Sequence, residues 1–165
     1  MTEKLLDIEY LNETFNYDSL TGDITWKKKG PCRSVGNKAG NINERGYICI
    51  GIKGKIIKAH RIAFAMFHGR NPIGAIDHIN GNTNDNSIAN LREATPSNNQ
   101  ANCKTRIDNT SGVKGVHYRK LTGKWVAQIQ RNKKRCCIGY FKTKEEAQNA
   151  RIAAAQAEYG EFAKH

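Results

Sequence analysis

The sequence predicts an α+β chain built from two small domains. Three observations point that way: β-branched runs that give way to helical spacing near residue 59, a strand, loop, strand and helix signature between residues 75 and 102, and a late set of three short strands closed by a capped helix. The predicted boundaries are 1–102 for the first domain with a β-rich N-terminal extension, 103–112 for a linker, and 113–165 for a three-stranded antiparallel sheet packed on one helix.

Within residues 1–30, short extended pieces flank the turn signal Thr21-Gly22-Asp23. Trp26 then meets Lys27-Lys28-Lys29, which fits either a solvated strand end or a phosphate contact. From Gly46 to Lys58, β-branched runs on both sides of Lys53-Gly54 predict a hairpin with a tight turn. A helix follows at once, because Ile62, Ala63, Met66 and Phe67 recur at helical spacing, and Gly69 stops it. His60 and His68 fall near one face of that helix, in a pattern that suits structural or hydrogen-bonded roles better than a metal pair.

Ala75-Ile76-Asp77-His78 runs from apolar to polar, as a short strand does when its C-terminal end delivers reactive groups. The loop from Ile79 to Asn90 is rich in Asn and Gly, residues 91–95 return as a second strand, and Thr95-Pro96 opens a helix as cap and first-turn proline. Asn98 and Asn99 sit early in that helix. A calcium loop is excluded, since the acidic pattern and closing Glu of an EF-hand are missing. Residues 104–112 are polar and turn-rich, a linker of modest flexibility. Residues 116–119, 124–131 and 135–141 then read as three strands, and Thr143 with Glu146 forms a capping box for a helix whose apolar face comprises Ala147, Ala150, Ile152, Ala153, Ala154 and Ala157.

Charge narrows the function classes. The 165 residues carry 27 Lys and Arg against 15 Asp and Glu, a net charge of +12, which makes a polyanion the expected partner. The excess is uneven, with +8 in residues 113–165 and +4 in the rest. No apolar run approaches the roughly 18 residues of a membrane span, and the N-terminus lacks the regions of a signal peptide, so a soluble, cytoplasmic protein with no membrane partner is expected. Cys32, Cys49, Cys103, Cys136 and Cys137 include no C-x-x-C pair; reduced, packed thiols are expected and structural zinc is not.

The adjacent Asp77 and His78 carry the chemistry. A carboxylate can hold a divalent cation while the neighbouring imidazole acts as general base, and a second oxygen ligand is available where the Ser97-Asn98-Asn99 helix begins. Phosphodiester hydrolysis needs a water aligned with the scissile bond, a base with pKa near neutrality and positive charge on the phosphate and leaving oxygen.

The segments HRIAFAMF, IDHINGNTNDN and NLREATPSNNQAN, from His60 to Asn102, resemble the HNH endonucleases of phages and mobile introns, whose fold is the ββα-metal site. The resemblance implies that Asp77 binds the metal, His78 is the general base, Asn90 steadies the loop, and Asn99 completes the metal shell, with Asn98 beside it as the competing ligand. Asn99 stands where the family name has its second His, making this an H-N-N variant. The implied cofactor is a divalent metal, magnesium by preference, and the implied activity is nicking or double-strand cleavage of a preferred site by a homing-type enzyme, acting as a monomer.

From Ser111 to Ala163 the segments SGVKGVHYRKLTGKWVAQIQ, RCCIGYFKTKEEAQNA and YGEFA resemble the DNA-binding domain of the plant ethylene-response factors (Apetala type), which lays a three-stranded sheet in the major groove. By position this implies Lys114, His117, Arg119, Lys124, Gln128, Gln130 and Arg135 as contacts to double-stranded DNA, with Arg and Gln suited to guanine and adenine edges. His117, Gln128, Gln130 and Cys137 depart from that family's usual Arg, Glu, Arg and Trp, so its recognition sequence does not transfer. Trp125 is expected to pack on the helix. A DNA-binding regulator with an inactive nuclease fold and an RNA-binding protein are the competing functions.

Overall fold

The computed structural model describes residues 5–31, 33–103, 109–131 and 134–163, and the chain divides into two compact units, one up to Glu93 and one from Ala94. The division falls before the last residue of the second strand of the Asp77 segment, nine residues ahead of the predicted boundary at 102.

The first unit opens with α1 (Ile8–Thr14), which the sequence does not announce because seven residues are too few for a period to register. Its signal is the cap: the Asp7 carboxylate accepts from Tyr10 N at 3.0 Å. Strands β1 (Phe15–Tyr17) and β2 (Ile24–Trp26) pair antiparallel around the predicted turn. Strands β3 (Asn41–Ile42), β4 (Ile48–Ile52) and β5 (Lys55–Lys58) form one sheet in the order β3-β4-β5. The predicted Lys53-Gly54 turn joins the last two, and both residues have positive φ, 47° and 74°, as a two-residue hairpin of the primed type requires.

Helix α2 (Ala59–His68) follows directly and ends on Gly69 in the left-handed conformation, φ 64°. Its buried side is broader than the predicted face. Ala59, Ile62, Ala63, Phe64 and Ala65 are buried, whereas Phe67 keeps 51% of its surface exposed. A helix apolar on most sides lets spacing alone select the wrong edge. Leu11, Phe15, Ile24 and Ile50 join these residues in a single core, and β6 (Ala75–His78) pairs with β7 (Leu91–Ala94).

The second unit begins with α3 (Pro96–Asn102), capped as expected: the Thr95 hydroxyl accepts from Asn98 N at 3.2 Å. Part of the predicted linker, residues 104–108, lies outside the described residues. Its far end is a bonded turn rather than loose chain, since Asn109 Oδ1 accepts from Ser111 N at 2.9 Å and Gly112 N at 3.0 Å.

Strands β8 (Val116–Arg119), β9 (Lys124–Arg131) and β10 (Lys134–Phe141) form an antiparallel sheet in the order β10-β9-β8, with a register shift between Cys137 and Gly139. Helix α4 (Lys144–Tyr159) carries the predicted capping box, with Glu146 N donating to Thr143 Oγ1 at 3.2 Å and Thr143 N donating to Glu146 Oε2 at 3.3 Å. Its buried stripe is Ala147, Arg151 and Ala155, so exposed Ala153 and Ala157 do not belong to the predicted face. In an alanine-rich helix hydrophobicity hardly distinguishes one side from another. Trp125 is half-buried and packs with Phe141 and Ile138 against Val116, Ala127 and Ala147. Among the described residues, no helix is long and apolar enough to cross a membrane.

Candidate active site

Strand β6 ends on Asp77 and His78, which are 4% and 5% exposed. Two reactive polar side chains this deep must be held by partners, because an unpaired buried charge or donor costs several kcal/mol. Arg92, on the paired strand β7, supplies the first: its Nε and Nη2 both donate to Asp77 Oδ2, at 3.1 and 3.0 Å. The salt bridge is itself buried, with 13% of the Arg92 side chain exposed.

His78 is held on its other side by the loop. Its Nε2 lies 3.3 Å from Asn86 Oδ1, and Asn86 is 2% exposed. The loop closes on itself through Asn90, whose Oδ1 accepts from Asn80 N at 2.9 Å and whose Nδ2 donates to Asp85 O at 2.8 Å. Ile79 N also donates to Asn90 O at 2.9 Å. Asn90 therefore ties the end of the loop to its start and its middle. Asp85 adds a further tie, accepting from Ser87 Oγ at 2.6 Å and Asn80 Nδ2 at 2.8 Å. These hydrogen bonds, from Ser87 first, hold its carboxyl below the usual carboxylate range.

Segments remote in sequence complete the surroundings. The Tyr17 hydroxyl donates to Asn86 O at 2.8 Å, and Ile88 N donates to Ser19 O at 3.0 Å. Burial pushes the Tyr17 phenol up to about 12, so it remains a donor throughout the working range of pH. Gly22, at φ +79°, passes so close that a Cβ there would lie 2.4 Å from the Asn86 carbonyl carbon. Thr83 Oγ1 donates to Gly46 O at 2.8 Å. The β-rich extension is thus a cradle for the loop within the same unit.

The imidazole of His78 also meets two rings, His60 with centroids 5.0 Å apart and Tyr47 at 6.0 Å. Burial pushes His60 down to about 3, with repulsion from His78, Lys58 and Arg61 adding to it, so this neighbour is neutral. Burial also lowers His78 below its ordinary value; the Asn86 hydrogen bond and the Asp77 charge oppose that shift without cancelling it. His78 is therefore an unprotonated imidazole at neutral pH, the state a general base requires. His68 lies instead between Phe64 and Phe67, at 4.2 and 5.1 Å, and makes no pair with His60.

The donor set suits a hard cation. Among the described residues no group of three or more His, Cys, Asp or Glu side chains could hold a metal. Asn98 and Asn99, the other predicted ligands, are both half-buried on α3 in the second unit. Carboxylate and amide oxygens fit magnesium and do not fit a thiolate-seeking metal.

The predicted DNA contacts fall on one side of the second unit's sheet, with one exception. Residues directly opposite one another share a face, and the pairs Arg119↔Lys124, His117↔Val126, Gln128↔Cys137 and Gln130↔Arg135 place six of the seven candidates together. Val116, Trp125, Ala127 and Ile129 occupy the opposite face. Gln128 is half-buried and the other five are exposed. Arg119 Nη1 donates to Tyr140 Oη at 3.1 Å across this face, beside the buried Val126. Lys114, the seventh candidate, precedes the sheet, and its Nζ donates to the carbonyls of Ala101 and Cys103 at 2.9 and 3.0 Å, capping α3.

Sequence reasoning did not single out Asn86, Tyr17 or the Arg92 clamp. In a loop carrying four asparagines before Asn90, composition cannot tell which amide turns inward, and the Tyr17 contact spans 69 residues. Arg92 did leave a signal, as a cation beside the apolar Leu91 in a short returning strand.

Comparison with known proteins bears on this segment. Residues 58–101 match the HNH endonuclease family, a stretch that contains Asp77, His78, Asn86, Asn90, Arg92 and Asn99. The chain is also similar to Protein 3.8 of Escherichia phage T7, with 46% identity over 50 residues, which is 30% of this chain and 41% of the phage protein. The chain thus spans less than half the length of that relative. The family match ends at residue 101, ahead of the C-terminal sheet, and no solved structure matches the chain.

Proposed function

We propose that this protein is a metal-dependent, site-preferring DNA endonuclease of homing type, in which the HNH segment cuts and the C-terminal sheet positions. The observation that carries the reading is His78: a buried, neutral imidazole oriented by Asn86 and adjacent to the Asp77 carboxylate, inside a segment that matches HNH endonucleases.

In the proposed reaction the water oxygen attacks phosphorus as the bond to the 3′-oxygen breaks, His78 takes the proton of the water, and solvent returns a proton to the leaving oxygen. Asp77 and Asn99 would hold magnesium, with Asn98 as the competing ligand. When bound, the ion would supply positive charge for the phosphate and the leaving oxygen. Asn90 keeps the loop closed, and Arg92 fixes the Asp77 carboxylate and offsets part of its charge. One base acting with one metal suits cutting one strand at a time. The proposed arrangement of β6, β7 and α3 is the ββα-metal fold.

Double-stranded DNA is the proposed substrate, bound by a monomer in the cytoplasm of a phage host. The sheet face bearing His117, Arg119, Lys124, Gln128, Gln130 and Arg135 is proposed to enter the major groove in the manner of ethylene-response-factor domains, which its order of three strands and one helix supports. Lys114 has a structural role in this scheme, through its cap on α3.

A supercoiled-plasmid assay with and without magnesium tests the reading. The wild-type chain should nick or linearise the plasmid only with magnesium, and His78→Ala should bind DNA equally well without cutting. Binding by both with cutting by neither would make the protein a DNA-binding regulator. Stronger binding to RNA than to duplex DNA in competition would make it an RNA-binding protein.

A further inference from the structure

A histidine that serves as a base with one ring nitrogen must carry its neutral proton on the other, and the partner of that second nitrogen selects the tautomer. In this protein the partner is a side chain. Asn86 presents Oδ1, an acceptor, to His78 Nε2 at 3.3 Å. An acceptor there favours the proton on Nε2 and so puts the basic lone pair on Nδ1.

Asn86 is fixed more firmly than an ordinary loop amide. It is 2% exposed, its carbonyl accepts the Tyr17 hydroxyl at 2.8 Å, and the backbone at Gly22 leaves no room for it to back away. Ile88 N to Ser19 O, at 3.0 Å, ties down the next turn of the loop. The imidazole also packs against the rings of His60 and Tyr47. These contacts restrict the orientation of the ring.

We propose that Asn86 is a positioning residue for the nuclease reaction: its Oδ1 holds neutral His78 as the Nε2–H tautomer, so that Nδ1 takes the proton of the attacking water, and Tyr17 keeps Asn86 in register. The role rests on the nuclease reading given above. It assigns a catalytic purpose to a hairpin 60 to 70 residues away in sequence, through the contact between Tyr17 and Asn86 that spans 69 positions.

Nitrogen-15 NMR of the full chain with labelled imidazoles tests the proposal, at about pH 8 where histidines are neutral, with the His78 signals assigned by their loss in His78→Ala. The expected spectrum has a pyrrole-like Nε2 and a pyridine-like Nδ1. In Asn86→Leu the two shifts should move towards each other as the tautomers mix, and kcat for plasmid nicking should fall roughly 10- to 100-fold with KM within about twofold. Tyr17→Phe should move both readouts in the same direction by a smaller amount, and it carries the test if Asn86→Leu does not fold. Protonated Nδ1 in the wild type, or shifts unchanged in the folded variants, overturns the proposal. Failure of the two readings is distinguishable: a wild-type chain that cuts no DNA removes the reaction this role serves, whereas protonated Nδ1 in a chain that does cut removes the role of Asn86 alone.

Discussion

Arg92 directs two donors, Nε at 3.1 Å and Nη2 at 3.0 Å, at a single oxygen of Asp77, and both side chains are buried from solvent. The pair is less a source of stability than a condition for placing a carboxylate there at all, because desolvating the two charges offsets much of their attraction. Removing Arg92 takes two charge-assisted hydrogen bonds from a buried carboxylate. Arg92→Met should therefore lower the unfolding free energy by about 3 kcal/mol or more, measured by urea denaturation. Millimolar magnesium should raise the melting temperature of this variant more than that of the wild type, since a cation bound at Asp77 replaces the missing positive charge and stabilises the fold by mass action. Equal shifts in the two proteins would count against Asp77 as a metal ligand.

A second prediction concerns Gly22. Its φ of +79° is one that L side chains rarely adopt, and an added Cβ would lie 2.4 Å from the Asn86 carbonyl carbon and from Ser87 N. Backbone strain of this kind costs on the order of 1–3 kcal/mol before the contact with the loop is counted. Gly22→Ala should lower stability by at least that much and reduce nicking together with it, because the displaced atoms belong to the residue that orients His78. Gly54→Ala is the control. It has φ +74° but open space around it, and it should lose stability without losing activity in the folded protein.

Much of the fold was legible in the sequence. The Lys53-Gly54 hairpin, helix α2 with its Gly69 stop, the strand at Asp77, the Thr95 cap and the capping box at Thr143 are local signals, each written within a few residues. Faces were less legible than elements. Helix α2 is apolar on most sides and α4 is rich in alanine, so burial was decided by the sheet each one packs on: Phe67 ended half-exposed and Arg151 ended buried. Asp77 and His78 were identifiable from residue type and adjacency. Their supports were not, because Tyr17, Gly22 and Gly46 reach the loop across tens of residues, and one asparagine among many turns inward only when those segments arrive.

A third prediction tests the sheet. Its six candidate DNA-facing residues share a face by register, and Lys124 and Arg135 are exposed members of it. If this face meets DNA, each phosphate-neutralising cation removed should reduce the slope of log affinity against log salt by about 0.9. Lys124→Ala combined with Arg135→Ala should therefore flatten the slope by up to about 2 and weaken binding, while the rate of cleavage at saturating DNA stays near wild type. Lys114→Ala should leave the slope unchanged and lower the melting temperature, because its ammonium caps α3. A slope that responds to Lys114 and not to the sheet would move the interface elsewhere.

The last prediction is a dependence of stability on pH that His60 should dominate. This residue is 5% exposed, and burial holds its folded-state pKa near about 3, against roughly 6.5 in the unfolded chain. Because the folded value is the lower one, the unfolded state binds more protons between these two limits. The neutral imidazole therefore costs nothing above about pH 6.5, and stability falls as pH drops below it, by about 1.4 kcal/mol for each unit until the folded-state pKa is reached. At pH 5 the loss attributable to His60 should be about 2 kcal/mol. His78, whose pKa is also lowered by burial, contributes in the same direction, so the wild type alone cannot separate the two. His60→Leu can: it removes the titrating group while keeping an apolar side chain against Tyr47 and His78. Urea unfolding at pH 7 and pH 5 should show the wild type losing about 2 kcal/mol more than His60→Leu over that interval, even if the variant starts from a lower stability at pH 7. Parallel losses in the two proteins would mean that His60 is not buried as a neutral imidazole, and the packing assigned to it around His78 would fall with that result.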